Sequence, residues 1–194
     1  MKNPFQQPFA ITEDYIENSL KGFSIPIVCI NFNGNSETRG IGTLLIVSRE
    51  MFTNHEDALV VLMQRMLCEN ENWEHFSDFT AKDVEQFTQN FLNKAYNTME
   101  LNRFDVKEFE KEYRMILNSQ ITFTANIPQY LHIYNDPWFG IKYNKENITD
   151  LNGFNPLNEE KLETSFYFKD EWDCKEYFAI SKNNYIYFDW FLSW

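Results

Sequence analysis

Carboxylates are the chemically active side chains this sequence holds in excess. There are 29 Asp and Glu against 17 Lys and Arg, giving a formal net charge of −12 and a pI near 4.7. They are not spread evenly. Between positions 69 and 85, Glu69, Glu71, Glu74, Asp78, Asp83 and Glu85 face Lys82 alone, with Trp73, Phe76 and Phe79 set among them. A second cluster, Asp170-Glu171-Trp172-Asp173, again places acids around a tryptophan. A large aromatic side chain loses little conformational entropy on docking, and neighbouring carboxylates steer and orient Lys and Arg of a partner. Glu69, Glu71, Trp73, Glu74, Asp78, Asp170, Glu171, Trp172 and Asp173 are therefore the candidate partner-binding residues. The acids around Trp172 are also where a glycosidase-like carboxylate pair would be sought.

Other chemistries find little support. Histidine occurs only at 55, 75 and 132, with no H-x-x-x-H or H-E-x-x-H, so no metal is expected. Cys29, Cys68 and Cys174 are odd in number, far apart, and form no C-x-x-C pair, which argues against a disulfide scaffold and for thiols in a reducing compartment. Gly40-Ile41-Gly42 lacks the third glycine of a dinucleotide fingerprint, and no glycine loop leads into Lys-Ser or Lys-Thr, so no cofactor is expected. The segment GIGTLLIVSREMFTNHE (40–56) resembles the surroundings of the catalytic histidine in trypsin-like proteases. It departs from them in the long apolar helix that follows His55. No G-x-S-G segment supplies a nucleophile downstream, so a triad cannot be assembled. His55 reads instead as a helix-start residue.

The elements that must position these groups are legible from periodicity. DALVVLMQRML (57–67) is apolar around most of a helical circumference, which predicts a largely buried central helix over about 54–68. Thr53 with Glu56, or Asn54 with Asp57, would cap it. SIPIVCINF (24–32) and RGIGTLLIVS (39–48) read as an antiparallel hairpin, with Gly40 and Gly42 leaving room for a close backbone approach. Amphipathic stripes predict helices from Thr80 through Met99 and from Val106 to Leu117, the latter capped by Asp105. A short helix from Glu13 to Lys21 follows an extended arm at residues 1–10 that contains Pro4 and Pro8. QITFTANI (120–127), QYLHIYN (129–135), WFGIKYN (138–144), LETSFYF (162–168), KEYFAIS (175–181) and YIYFDWFLSW (185–194) read as strands, with a long loop at 144–161. Strands, then helices, then strands imply α+β: a single domain over 1–194, with a mainly antiparallel sheet against about three helices.

Function is approached by exclusion. The net charge repels phosphate backbones, so nucleic acid is not an expected partner and a basic protein is. No apolar run reaches the length of a membrane span or a signal peptide, and a cytoplasmic location is expected. In size, acidity, aromatic content and lack of catalytic motifs the chain resembles bacterial immunity proteins. The expectation is a non-enzymatic protein that occludes the active site of a toxin, such as a nuclease. The alternatives are a hydrolase with dispersed carboxylates, and an assembly component that self-associates through the aromatic C-terminal strands.

Overall fold

The computed structural model describes residues 25–34, 40–70, 101–126, 140–144, 146–148, 150–157 and 160–192. Its centre is a sheet, not a helix. Strands β1 (Val28–Asn33), β2 (Ile41–Ser48), β3 (Asn102–Phe104), β4 (Gly140–Tyr143), β5 (Glu146–Asn147), β6 (Leu162–Asp170), β7 (Cys174–Ser181) and β8 (Asn184–Phe191) run antiparallel to their neighbours in the order β3-β6-β7-β8-β2-β1-β4-β5. Helix α1 (His55–Asn70) packs on one face and α2 (Val106–Ala125) on the other. Because both faces are covered, the central strands read as continuous apolar runs rather than as a polar-apolar alternation. In β8, Tyr185 and Tyr187 join the α1 core while Ile186, Phe188 and Trp190 join the α2 core. β8 is paired on both sides, with β7 and β2, and Tyr185, Tyr187, Phe188 and Trp190 are buried while Phe191 is partly exposed.

Helix α1 starts where the sequence suggests. Asn54 Oδ1 accepts from the Asp57 amide at 2.8 Å, and Asn54 Nδ2 donates to Asp57 Oδ2 at 2.7 Å. Its residues Ala58, Leu59, Leu62, Met63 and Met66 press on Leu45, Phe178 and Tyr187 of the sheet. The predicted central helix is thus one outer layer against the sheet.

The second correction concerns 120–127. Of these residues, predicted as a strand, 120–125 form the last turns of α2, which begins with Asp105 Oδ1 accepting from the Lys107 amide at 2.8 Å. Once nucleated, a helix extends at the cost of one residue per bond, and this outweighs the weak strand preference of Ile121, Thr122 and Phe123. Ile121 packs against the α2-side core, and Asn126 Nδ2 closes the end by donating to the Thr122 carbonyl at 2.7 Å. Among the described residues there are two α-helices, α1 and α2. The predicted helices at 13–21 and 80–99, the arm at 1–10 and the strand at 129–135 lie outside the described residues.

The β1–β2 hairpin and the β6, β7 and β8 meander match expectation. Gly42 lies between Trp190 and Phe32 in one cross-strand row, and a Cβ there would sit 3.1 Å from Trp190 Cδ1 and 2.7 Å from the Asp189 carbonyl oxygen. The glycine makes the space that the indole fills.

Candidate functional site

The β6–β7 hairpin carries the second acidic cluster at its tip. Two backbone bonds of 2.9 Å fix the turn: the Glu171 amide donates to the Cys174 carbonyl, and the Leu192 amide donates to the Asp173 carbonyl. The second bond ties the tip to the end of β8. β6 changes register between Tyr167 and Lys169, a bulge that re-aims the strand just before the turn. The result is a firmly held tip on which Trp172 is 69% exposed, Glu171 is exposed and Asp173 is half-buried. Phe191, paired opposite Cys174, adds a second partly exposed aromatic close by.

Asp170 behaves differently from its neighbours. Its Oδ1 accepts from Lys175 Nζ at 2.8 Å and from the Tyr177 hydroxyl at 2.6 Å. Burial works against its charged form, but the Lys175 and Tyr177 hydrogen bonds and the Lys175 charge outweigh this and hold Asp170 below the ordinary carboxylate range. The Tyr177 hydroxyl is correspondingly raised, first by burial and then by Asp170. Lys175 also reaches Glu112 of α2 at 4.0 Å. Asp170 thus braces the base of the hairpin through Oδ1 while remaining at the surface.

For the first cluster, Glu69 falls in the last turn of α1, while Glu71, Trp73, Glu74 and Asp78 lie outside the described residues.

Sequence reasoning missed a second constellation. On the α1 face of the sheet, Glu176, Asp189, Thr43, Asn31 and Lys142 stand directly opposite one another on β7, β8, β2, β1 and β4, forming one polar row across an otherwise apolar surface. Glu176 is 9% exposed and accepts a short hydrogen bond from the fully buried Tyr187 hydroxyl. Its carboxyl is raised above the ordinary range, first by burial and then by the Asp189 charge, with the Tyr187 bond and Lys169 acting the other way. Two neighbouring acids are the arrangement acid–base chemistry uses. Here one of them is sealed against a buried tyrosine. The available signal was a lone acid in each of two aromatic strands, Glu176 in KEYFAIS and Asp189 in YIYFDWF.

Other reactive groups are accounted for. His55 Nδ1 lies 2.7 Å from the Tyr185 hydroxyl at the start of α1, a structural contact. Burial raises the Cys174 thiol, which keeps it from being an activated nucleophile. Among the described residues no three His, Cys, Asp or Glu gather to hold a metal, and no helix is long and apolar enough to cross a membrane.

No protein-family model, curated protein or solved structure matches the chain.

Proposed function

We propose that this chain is a non-enzymatic acidic binding protein that neutralises a basic protein partner. In its most concrete form it is a bacterial immunity protein that covers the active site of a toxin, such as a nuclease. One observation carries the reading: Trp172 stands exposed between Glu171 and Asp173 on a hairpin tip that backbone hydrogen bonds hold in place. A rigid, exposed indole flanked by acids is the kind of anchor that dominates an interface, because little order is lost when it docks. Lys and Arg that hold phosphate in a nuclease site would pair with Glu171 and Asp173, as they would with the substrate they normally bind. The net charge of −12 would speed the encounter.

The test is capture from the native host's lysate with the tagged full chain, at low and moderate salt, beside the variant carrying Glu171→Lys, Trp172→Ala and Asp173→Lys. The expected result is one basic protein in stoichiometric amount with the wild type, less of it at higher salt, and none with the variant. Equal recovery by wild type and variant would remove the hairpin tip from the interface. Absence of any partner at both salts would remove the function.

A further inference from the structure

A cleft on the α2 side of the molecule, remote in kind from the acidic tip, carries its own chemistry. It lies between α2 and Phe154, Leu157, Glu160 and Leu162, and has a volume of about 160 Å³. For scale, an apolar cavity of about 150 Å³ is enough to take up benzene. Tyr113 lines this cleft. Its side chain is 3% exposed, its ring is wedged against Phe109 and Phe188, and its hydroxyl has no hydrogen-bond partner among the described residues. Buried polar atoms are almost always satisfied, so a hydroxyl left without a partner beside a cleft asks for one from outside.

The charges around it are mixed. The Arg114 guanidinium is close enough to favour the charged form of Tyr113, although burial dominates and keeps that hydroxyl protonated and able to donate. Glu110 lines the same cleft one helical turn before Arg114. Neither enters an ion pair among the described residues. Glu160, also at the cleft, is already engaged by the Asn183 amide at 3.0 Å and Asn184 Nδ2 at 2.6 Å. The remaining wall is apolar, made by Leu117, Phe154 and Leu157. A cation and an anion that form no ion pair among the described residues, one buried donor and an apolar wall therefore meet in a space sized for a small side chain.

We propose that this cleft binds a small zwitterion with an apolar body, the chemistry of a free apolar α-amino acid. Its carboxylate would take the Tyr113 hydroxyl and Arg114, its ammonium Glu110, and its side chain the Leu117, Phe154 and Leu157 wall. A carboxylate alone would leave Glu110 without a cation, and an amine alone would leave Tyr113 and Arg114 unsatisfied.

The experiment is titration of the full chain with leucine and with phenylalanine, followed by chemical-shift changes at Leu117 and Leu157 and by calorimetry. 4-Methylpentanoate lacks the ammonium group, isopentylamine lacks the carboxylate and glycine lacks the apolar body; these serve as the comparison probes. Leucine or phenylalanine is expected to bind at millimolar concentration or below, and each comparison probe more weakly. Tyr113→Phe removes one hydroxyl and nothing else. It should weaken binding by roughly three- to tenfold while leaving the melting temperature of the free protein unchanged or higher, since the lost group had no partner. No shift with either amino acid at millimolar concentration overturns the proposal. So does equal binding by 4-methylpentanoate or glycine, or unchanged affinity in a folded Tyr113→Phe variant.

Discussion

Glu176→Gln is expected to make the protein more stable at neutral pH. Glu176 and Asp189 are directly opposed on β7 and β8, where Cβ atoms lie about 4.5–5.5 Å apart and like charges destabilise the pair. Burial is the largest cost of the charged carboxylate, and the like charge of Asp189 adds to it; together they outweigh the Tyr187 bond and Lys169 and raise the carboxyl. Glutamine keeps an oxygen for the Tyr187 hydroxyl, so that bond survives. It survives as a neutral bond, however, at a loss of about 1 kcal/mol relative to a charge-assisted one. The attraction of Lys169 for Glu176 is lost as well. What remains is a gain on the order of 1 kcal/mol, which corresponds to roughly 2–4 °C in Tm for each kcal/mol in a chain of this size.

The pH dependence fixes the sign. Glu176 is raised in the folded state, so its proton is held there more tightly than in the unfolded chain. Below its ordinary value of 4.5 both states carry the proton, and wild type and variant should have nearly equal stability. As the pH rises through the raised folded value, the wild type loses stability and the glutamine variant does not. Urea unfolding of both proteins from acid to mildly alkaline pH measures the gap directly. A double-mutant cycle with Asp189→Asn isolates the part due to the opposed acid. A Glu176→Gln protein that is less stable by the same amount at every pH would refute the argument, as would an advantage that grows towards acid.

Two further outcomes follow from other parts of the structure. Asp170 is held below the ordinary carboxylate range, so it contributes stability above its unfolded value of about 3.9 that is lost as the pH falls through the lower folded value. Asp170→Asn should therefore cost about 1 kcal/mol at neutral pH, discounted for partial exposure, and its stability curve should merge with that of the wild type in acid; a constant offset down to the lowest pH would contradict this. Gly42→Ala would put a methyl group 2.7 Å from the Asp189 carbonyl oxygen and 3.1 Å from Trp190 Cδ1. The overpacking should cost about 1–3 kcal/mol and change tryptophan fluorescence, and an unchanged urea midpoint would count against it.

Much of the architecture was written in local patterns. The β1–β2 hairpin, the β6–β8 meander, the Asn54 and Asp105 caps and the room made by Gly42 all follow from residues close in sequence. What the patterns hid was layering. An apolar run such as LLIVS has the same composition whether it sits at the centre or under one helix, and only pairing shows that the sheet is the middle layer. The end of α2 was hidden because Ile121, Thr122 and Phe123 favour strands locally, while helix continuation and packing decide otherwise. At the site, composition singled out DEWD but could not separate Asp170 from Glu171, since that distinction depends on Lys175 and Tyr177 on the next strand. The Glu176–Asp189 pair depends likewise on register between strands.

The acidity of this chain is therefore divided by structure into two kinds of work. Asp170 braces a hairpin, Glu176 shares a buried bond with Tyr187, Glu160 caps the turn before β8 through Asn183 and Asn184, and Glu163 holds Arg49 at 2.8 Å. These carboxylates are engaged internally, and a partner could recruit them only by breaking contacts the fold already uses. Glu171 and Asp173 are held by backbone hydrogen bonds instead, with Glu171 exposed and Asp173 half-buried beside Trp172. A charge reversal at Glu171 or Asp173 should then alter association with a basic partner and its salt dependence with little effect on folding. The same reversal at Asp170 or Glu176 should act first on stability. Measuring unfolding and partner binding on one set of these four single variants separates the two kinds of carboxylate, and a variant at Glu171 that lost stability as readily as one at Glu176 would show that the tip, too, belongs to the scaffold.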